Sequence, residues 1–174
     1  GGTGVVGLIG VAGIGRSEAQ QRLFSDALGV PPEVGPANLV PIDGLREIAA
    51  GLDIRAGAVL VDLACGRGGP SMWLARELGA RLIGIDFSAE AISQAMARRH
   101  LFGLEPSAEF AVGSFADTGL PDAFADAVAC IDAFQFATER VAAAGEIARV
   151  LRPGGRVVLT SWEPVTPGDS ELPE

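Results

Sequence analysis

Tyrosine is absent from the 174 residues, histidine occurs once and cysteine twice. Two cysteines make no disulfide framework, and the chain reads as intracellular and cytoplasmic by default. With no CxxC, no HExxH and a single imidazole, a protein-built metal site is not expected. No apolar stretch reaches the length of a membrane span, about eighteen residues, without glycine interruption, so no membrane partner is expected. Basic charge is also short. Thirteen Lys and Arg against 22 Asp and Glu leave a net charge of −9, with a pI near 4.6. Such a domain repels a phosphate backbone, and only Arg98-Arg99-His100 clusters cations, so nucleic acid is not an expected partner.

What is present is globular: 48% hydrophobic and 20% charged residues, in a length that suits one domain. The chain starts Gly1-Gly2-Thr3-Gly4 without Met. Residues 1–16 are rich in Gly, Val and Ile and have no basic stretch ahead of the apolar part. They read as a flexible or tag-like segment and not as a signal peptide. Residues 164–174 are rich in Pro, Gly and acid and read as a tail or linker. The domain is expected over 17–163.

Within it, helix and strand patterns alternate. Residues 17–28 have helical spacing, with Ser17 as a candidate N-cap and Gly29 as the stop. Residues 30–41 hold four prolines and read as irregular. A short helix is expected over 43–52, starting at Asp43, with Leu45, Ile48, Ala49 and Leu52 on one face. Residues 58–63 form a continuous apolar run, as a strand buried on both faces does. A helix follows over 70–78, with Pro70 at its first position. A second strand is expected over 81–85, ending at Asp86. Ser88 then caps a helix patterned by Ile92, Ala95, Met96 and Arg99. Third and fourth strands are expected at 109–112 and 125–131. A helix over 138–151 should turn Val141, Ala144, Ile147, Ala148 and Leu151 inward. Arg152-Pro153-Gly154-Gly155 reads as a type II turn leading to a fifth strand at 156–162. The order predicts an α/β fold: a doubly wound, Rossmann-like, mostly parallel sheet, ending after the fifth strand.

In open sheets of this kind, ligands bind beyond the carboxyl ends of the strands. The first strand ends Asp62-Leu63-Ala64-Cys65-Gly66-Arg67-Gly68-Gly69. The glycines allow a tight turn and close backbone approach, and the next helix aims free N–H groups at the ligand. Asp86, twenty residues past Gly66, is placed to accept ribose hydroxyls. An adenosine-type ligand is expected. Ser71 stands where the third glycine of G-x-G-x-x-G would be, and the Asp62 carboxylate is a poor neighbour for a pyrophosphate, which disfavours a nicotinamide dinucleotide. A literal G-x-G-x-x-G at Gly2, Gly4 and Gly7 follows no strand and is read as chance.

The stretch from Asp62 to Gly69, Gly84-Ile85-Asp86-Phe87-Ser88 and Val150-Leu151-Arg152-Pro153-Gly154-Gly155 resemble class I S-adenosylmethionine-dependent methyltransferases, in the small-molecule and natural-product branch. The resemblance covers about residues 40–162. It implies S-adenosylmethionine as cofactor, S-adenosylhomocysteine as product and methyl transfer to a small-molecule acceptor, at O or N, in secondary metabolism. By resemblance, Asp62 and residues 64–68, with Ala64, Cys65, Gly66 and Gly68, border the methionine part of the cofactor. Asp86 holds the ribose hydroxyls and Phe87 lies against the adenine. Gly113, Ser114 and Phe115 edge the ring. Ile131, Asp132 and Gln135 face the sulfonium and the acceptor. Ala64 replaces a glycine frequent in the family. Ser114 replaces an Asp that takes the adenine amino group. The family's sheet usually continues past a fifth strand into the acceptor pocket, so the chain reads as a fragment.

Plainer readings stand beside these. Asp62 also reads as a cap for the turn after it. Asp132, the one candidate for a catalytic base, also reads as a strand-end loop residue, and Gln135 as a helix-start residue. His100 reads as a helix-end cation favoured by the dipole. Cys65 and Cys130 read as buried free thiols, and Phe134 and Phe136 as pocket wall or core. The alternative function is a module that binds S-adenosylmethionine without turning it over.

Overall fold

The computed structural model describes residues 18–35 and 40–161. Ser17, Trp162, the two terminal segments and the glycine pattern at Gly2 lie outside them. The described chain runs α1 (Glu18–Leu28), α2 (Ile42–Leu52), β1 (Val59–Leu63), α3 (Gly69–Leu78), β2 (Arg81–Asp86), α4 (Ala89–Arg98), β3 (Ala108–Val112), β4 (Ala125–Cys130), α5 (Arg140–Val150) and β5 (Leu151–Leu159). The strands form one sheet in the order β3-β2-β1-β4-β5, and every neighbouring pair is parallel. This is the expected doubly wound architecture.

Alternation along the central strands builds two apolar layers. Leu60 of β1 joins the layer with Leu45 and Leu52 of α2, Met72 and Leu74 of α3, and Ile92 of α4. Val61 and Leu63 join the opposite layer with Ile83, Val128 and Ile147 of α5. Both faces of β1 are therefore covered, which explains its apolar run, interrupted by Asp62. The chain changes faces between β3 and β4, and β4 lands on the far side of β1. That leaves a crevice between the carboxyl ends of β1 and β4, where ligands of such sheets bind.

The helix starts show why the pattern worked and where it slipped. The Ser88 hydroxyl accepts the Ala91 amide at 3.2 Å and caps α4, and Gly29 takes a left-handed φ of +63° where α1 stops. Two helices begin a residue early. Pro41 caps α2, so Asp43 lies in its first turn and bonds Arg46 at 2.7 Å. Gly68 caps α3, so Pro70 is its second residue. Met96 is exposed, and Arg99 lies past α4 in a short 3₁₀ turn, Arg99–Phe102.

Two expectations are corrected. The buried face of α5 is Ala143, Glu146, Ile147 and Val150, while Val141 is 89% exposed and Ala144 and Ala148 face solvent. The inward face was hidden because it carries an acid. Glu146 Oε1 accepts the Thr118 amide at 2.8 Å and the Thr118 hydroxyl at 2.6 Å, and Arg149 donates to both carboxylate oxygens. Those donors hold the Glu146 carboxyl at about 2, with Arg149 the largest influence. The second correction concerns residues 152–155. Leu151 already pairs with Ala125, and Arg156 pairs with Ala127. The four residues between them loop out opposite Asp126, with Gly154 at φ +80°, so the turn lies inside β5 and does not precede it. Arg152 donates to Asp126 across this bulge at 2.6 Å.

Candidate functional site

β1 to β4 all run the same way, so their carboxyl ends bring Asp62, Asp86, Gly113 and Ile131 to one edge of the sheet. The loop after β1 is tightly wound. Ala64, Gly66 and Gly68 all have positive φ, at +58°, +53° and +71°. The Cys65 amide donates to Ile85 O at 3.0 Å, and the Gly68 amide donates to Cys65 O at 2.9 Å. The loop then delivers the chain into α3.

Asp86 is the fastener. Its Oδ2 accepts the Gly66 amide at 2.8 Å, and its Oδ1 accepts the Ser88 amide at 2.9 Å. One carboxylate thus binds the loop after β1 and the turn into α4. Each oxygen retains further acceptor capacity. Gly84, two residues earlier, is required by close packing. A Cβ there would run into the Phe110 ring and the Cys65 Sγ.

Asp62 lies deeper and is 3% exposed. Its Oδ1 is buried without a hydrogen-bond partner among the described residues. Burial is the main cause that pushes its carboxyl from 3.8 up to about 7. The Ser71 side chain works against this and the neighbouring Asp86 charge adds to it. Cys65 and Cys130 are free and buried. Burial first, and Asp62 second, push both thiols up, Cys130 to about 12. Neither is a nucleophile near neutral pH.

The remaining sequence candidates divide. Phe87 is 80% exposed beside Asp86. Ser114 is exposed and is engaged within its own loop: its amide donates to Asp117 O at 2.8 Å, and its Oγ accepts the Asp117 amide at 3.1 Å. Phe115 meets Phe134 edge to face, with ring centroids 6.2 Å apart, which joins the loop after β3 to the loop after β4. Ile131 is buried in the layer with Leu60 and Ala129. Asp132 has a left-handed φ of +53°; its Oδ1 accepts the Thr160 hydroxyl and its amide donates to the same oxygen, each at 2.9 Å. Gln135 Nε2 donates to Asp132 O at 2.9 Å, and its Oε1 is a second buried acceptor without a partner among the described residues. His100 lies past α4, in the 3₁₀ turn Arg99–Phe102, with Nδ1 2.9 Å from the Ala97 carbonyl. Among the described residues no cluster of His, Cys, Asp and Glu is arranged to hold a metal. No helix among them is long and apolar enough to cross a membrane.

Sequence reasoning missed Glu146, which anchors the loop carrying Ser114 and Phe115. It also missed Arg98, whose guanidinium donates to the Arg67 carbonyl at 2.9 Å. No pattern marks either. Each acts through the backbone of a distant segment, and an Arg or Glu on a helix looks like surface.

Residues 61–159 match a family profile described as a methyltransferase domain. The chain belongs to the class I S-adenosylmethionine-dependent methyltransferases. It is 34% identical over 148 residues to methyltransferase GfsG of Streptomyces halstedii, covering 82% of this chain and 53% of that protein. It is 32% identical over 121 residues to sterol 24-C-methyltransferase of Eremothecium gossypii, covering 70% of this chain and 32% of that one. Among solved structures it is similar to a methyltransferase from Thiobacillus denitrificans in complex with S-adenosylhomocysteine. The TM-score is 0.58 and the identity 30%, over 68% of this chain and 47% of the other. The chain therefore spans between a third and about half of the length of these relatives.

Proposed function

We propose that this methyltransferase-family chain binds S-adenosylmethionine at the carboxyl edge of β1 and β2 and transfers its methyl group to a small-molecule acceptor. The observation that carries the reading is the Asp86 carboxylate fastened to the Gly66 amide. This bond sets an acid with spare acceptor capacity beside a tightly wound glycine loop, an arrangement suited to ribose recognition. The buried Asp62 Oδ1, without a partner among the described residues, fits as well. A buried acceptor is costly to leave unpaired, and the ammonium of the cofactor's methionine part is a suitable donor, directly or through water. Phe87, exposed beside Asp86, offers an apolar face for the adenine. Ser114, engaged with Asp117, makes a weaker partner for the adenine amino group than a carboxylate.

The cofactor supplies a methyl group already activated on a sulfonium. The chain's own residues hold and orient. Residues 64–68 present backbone curvature, Asp86 fixes it, and the Phe115–Phe134 contact walls the far side. Proximity and alignment of this kind supply about 7–11 kcal/mol in favourable cases. Where the acceptor must lose a proton, Asp132 is the proposed base; Thr160 occupies only one of its oxygens.

The acceptor is proposed to be methylated at O or N, in secondary metabolism. The test is isothermal titration with S-adenosylmethionine, S-adenosylhomocysteine and NADH, followed by a screen of phenols, amines, sugars and sterols. Micromolar binding of the first two and not of NADH is expected. Carbon methylation in the screen would move the attacking atom. Binding without turnover of any acceptor would make the chain a binding module. NADH binding alone would overturn the reading.

A further inference from the structure

Segment 30–35, between α1 and α2, lies against the glycine-rich loop and the start of α3. Val30 and Val34 are buried in the core. The Val34 carbonyl sits so close to Gly69 that a Cβ there would run into it. Burial of those two valines holds the apolar side of the segment, Val30-Pro31-Pro32-Glu33-Val34-Gly35. Two arginines hold its polar groups. Arg76 of α3 reaches the Glu33 carboxylate at 3.2 Å. Arg98, the last residue of α4, reaches three backbone carbonyls: Nη1 donates to Arg67 O at 2.9 Å, and Nη2 donates to Glu33 O at 2.6 Å and Val34 O at 3.4 Å.

We propose that Arg98 is the positioning residue of the cofactor loop, tying that loop and segment 30–35 to the end of α4 through backbone carbonyls. A planar, forked guanidinium suits this role because it can serve two chain segments at once. The peptide between Arg67 and Gly68 is planar and trans, so its C=O and N–H point in opposite directions. Holding Arg67 O toward Arg98 therefore turns the Gly68 N–H toward Cys65 O, the bond that closes the loop at 2.9 Å. Among the described residues Arg98 has no carboxylate at ion-pair distance; carbonyl dipoles compensate its charge. Burial, and secondarily the Arg67 charge, lower its pKa. A partly desolvated cation is thus committed to backbone geometry. The binding arm of the inference rests on the cofactor reading above; the structural arm does not.

The test compares Arg98→Ala, Arg98→Lys and Arg76→Ala in the full chain. Two quantities are read: amide hydrogen exchange over residues 64–69 in the unliganded protein, and S-adenosylhomocysteine affinity by titration. Arg98→Ala is expected to speed exchange across the loop and to weaken binding about tenfold, the scale of one charge-assisted hydrogen bond. Added guanidinium should restore much of both. Arg98→Lys, with a point-like ammonium, should be intermediate, and it keeps the test alive if the alanine variant does not fold. Arg76→Ala loosens the same segment without touching the loop and should leave affinity within about twofold, below the energy of such a bond. Wild-type exchange over 64–69 in both Arg98 variants would overturn the proposal. So would an equal loss in Arg76→Ala. If the wild-type chain binds no S-adenosylhomocysteine, the cofactor reading falls, and the exchange arm alone decides for or against Arg98.

Discussion

Asp86 and Gly66, twenty residues apart in the chain, are joined by a 2.8 Å bond from amide to carboxylate. That bond makes two motifs into one object: the acid at the end of β2 shapes the loop after β1. Asp86→Asn keeps the volume and removes the charge, and an amide N–H turned toward the Gly66 N–H would face a donor. The loss of a charge-assisted bond, about 1.5–3 kcal/mol, predicts at least tenfold weaker binding of S-adenosylhomocysteine by titration. Unchanged affinity would remove Asp86 from the site.

Asp62 sets a pH dependence with a definite sign. Its carboxyl is raised to about 7 in the folded protein from an ordinary 3.8. Between those values the folded chain holds a proton that the unfolded chain has released. Stability therefore falls as pH rises through that window, by up to about 1.4 kcal/mol per pH unit, and levels off above about 7. Glu146, held at about 2, is ionised throughout the window in the folded state and does not mask the trend above its unfolded value. Urea unfolding of wild type and Asp62→Asn at several pH values between 5 and 8 checks this. The wild type should lose stability from pH 5 to about 7 and little beyond, and the variant, which mimics the protonated acid, should not.

Ala64 occupies a left-handed backbone conformation, φ +58°, where a Cβ costs roughly 1–2 kcal/mol. Glycine removes that strain but loses about 0.5–1 kcal/mol to greater freedom in the unfolded chain. Ala64→Gly should therefore be neutral or stabilising by up to about 1 kcal/mol in thermal unfolding. A clear loss would mean that the Ala64 methyl makes a contact that outweighs its strain.

Much of this was legible because it was local. The run from Ala58 to Leu63, apolar at every position but Asp62, announced a strand with two covered faces, and Ser88 announced its helix. The acid and glycines at the ends of the first two strands pointed to the candidate site, and the structure joins them through the bond from the Gly66 amide to Asp86. What stayed hidden was carried by single polar residues acting over long sequence distances. Glu146 faces inward because Thr118, 28 residues earlier, supplies two donors, and no periodicity encodes that. The bulge at residues 152–155 kept its turn residues, but the pairing of Leu151 with Ala125 put them inside a strand. Ile131, a candidate from its strand-end position, is buried in the layer with Leu60 and Ala129.

The missing tyrosines have an optical consequence. With two tryptophans and no tyrosine in the chain, light at wavelengths too long for phenylalanine excites indole and no phenol. Trp73 sits in α3, five residues beyond Gly68, and is only 6% exposed. An indole so sheltered, on the helix that the glycine-rich loop leads into, is an intrinsic lamp for the packing of that helix in the core, with no dye or label needed.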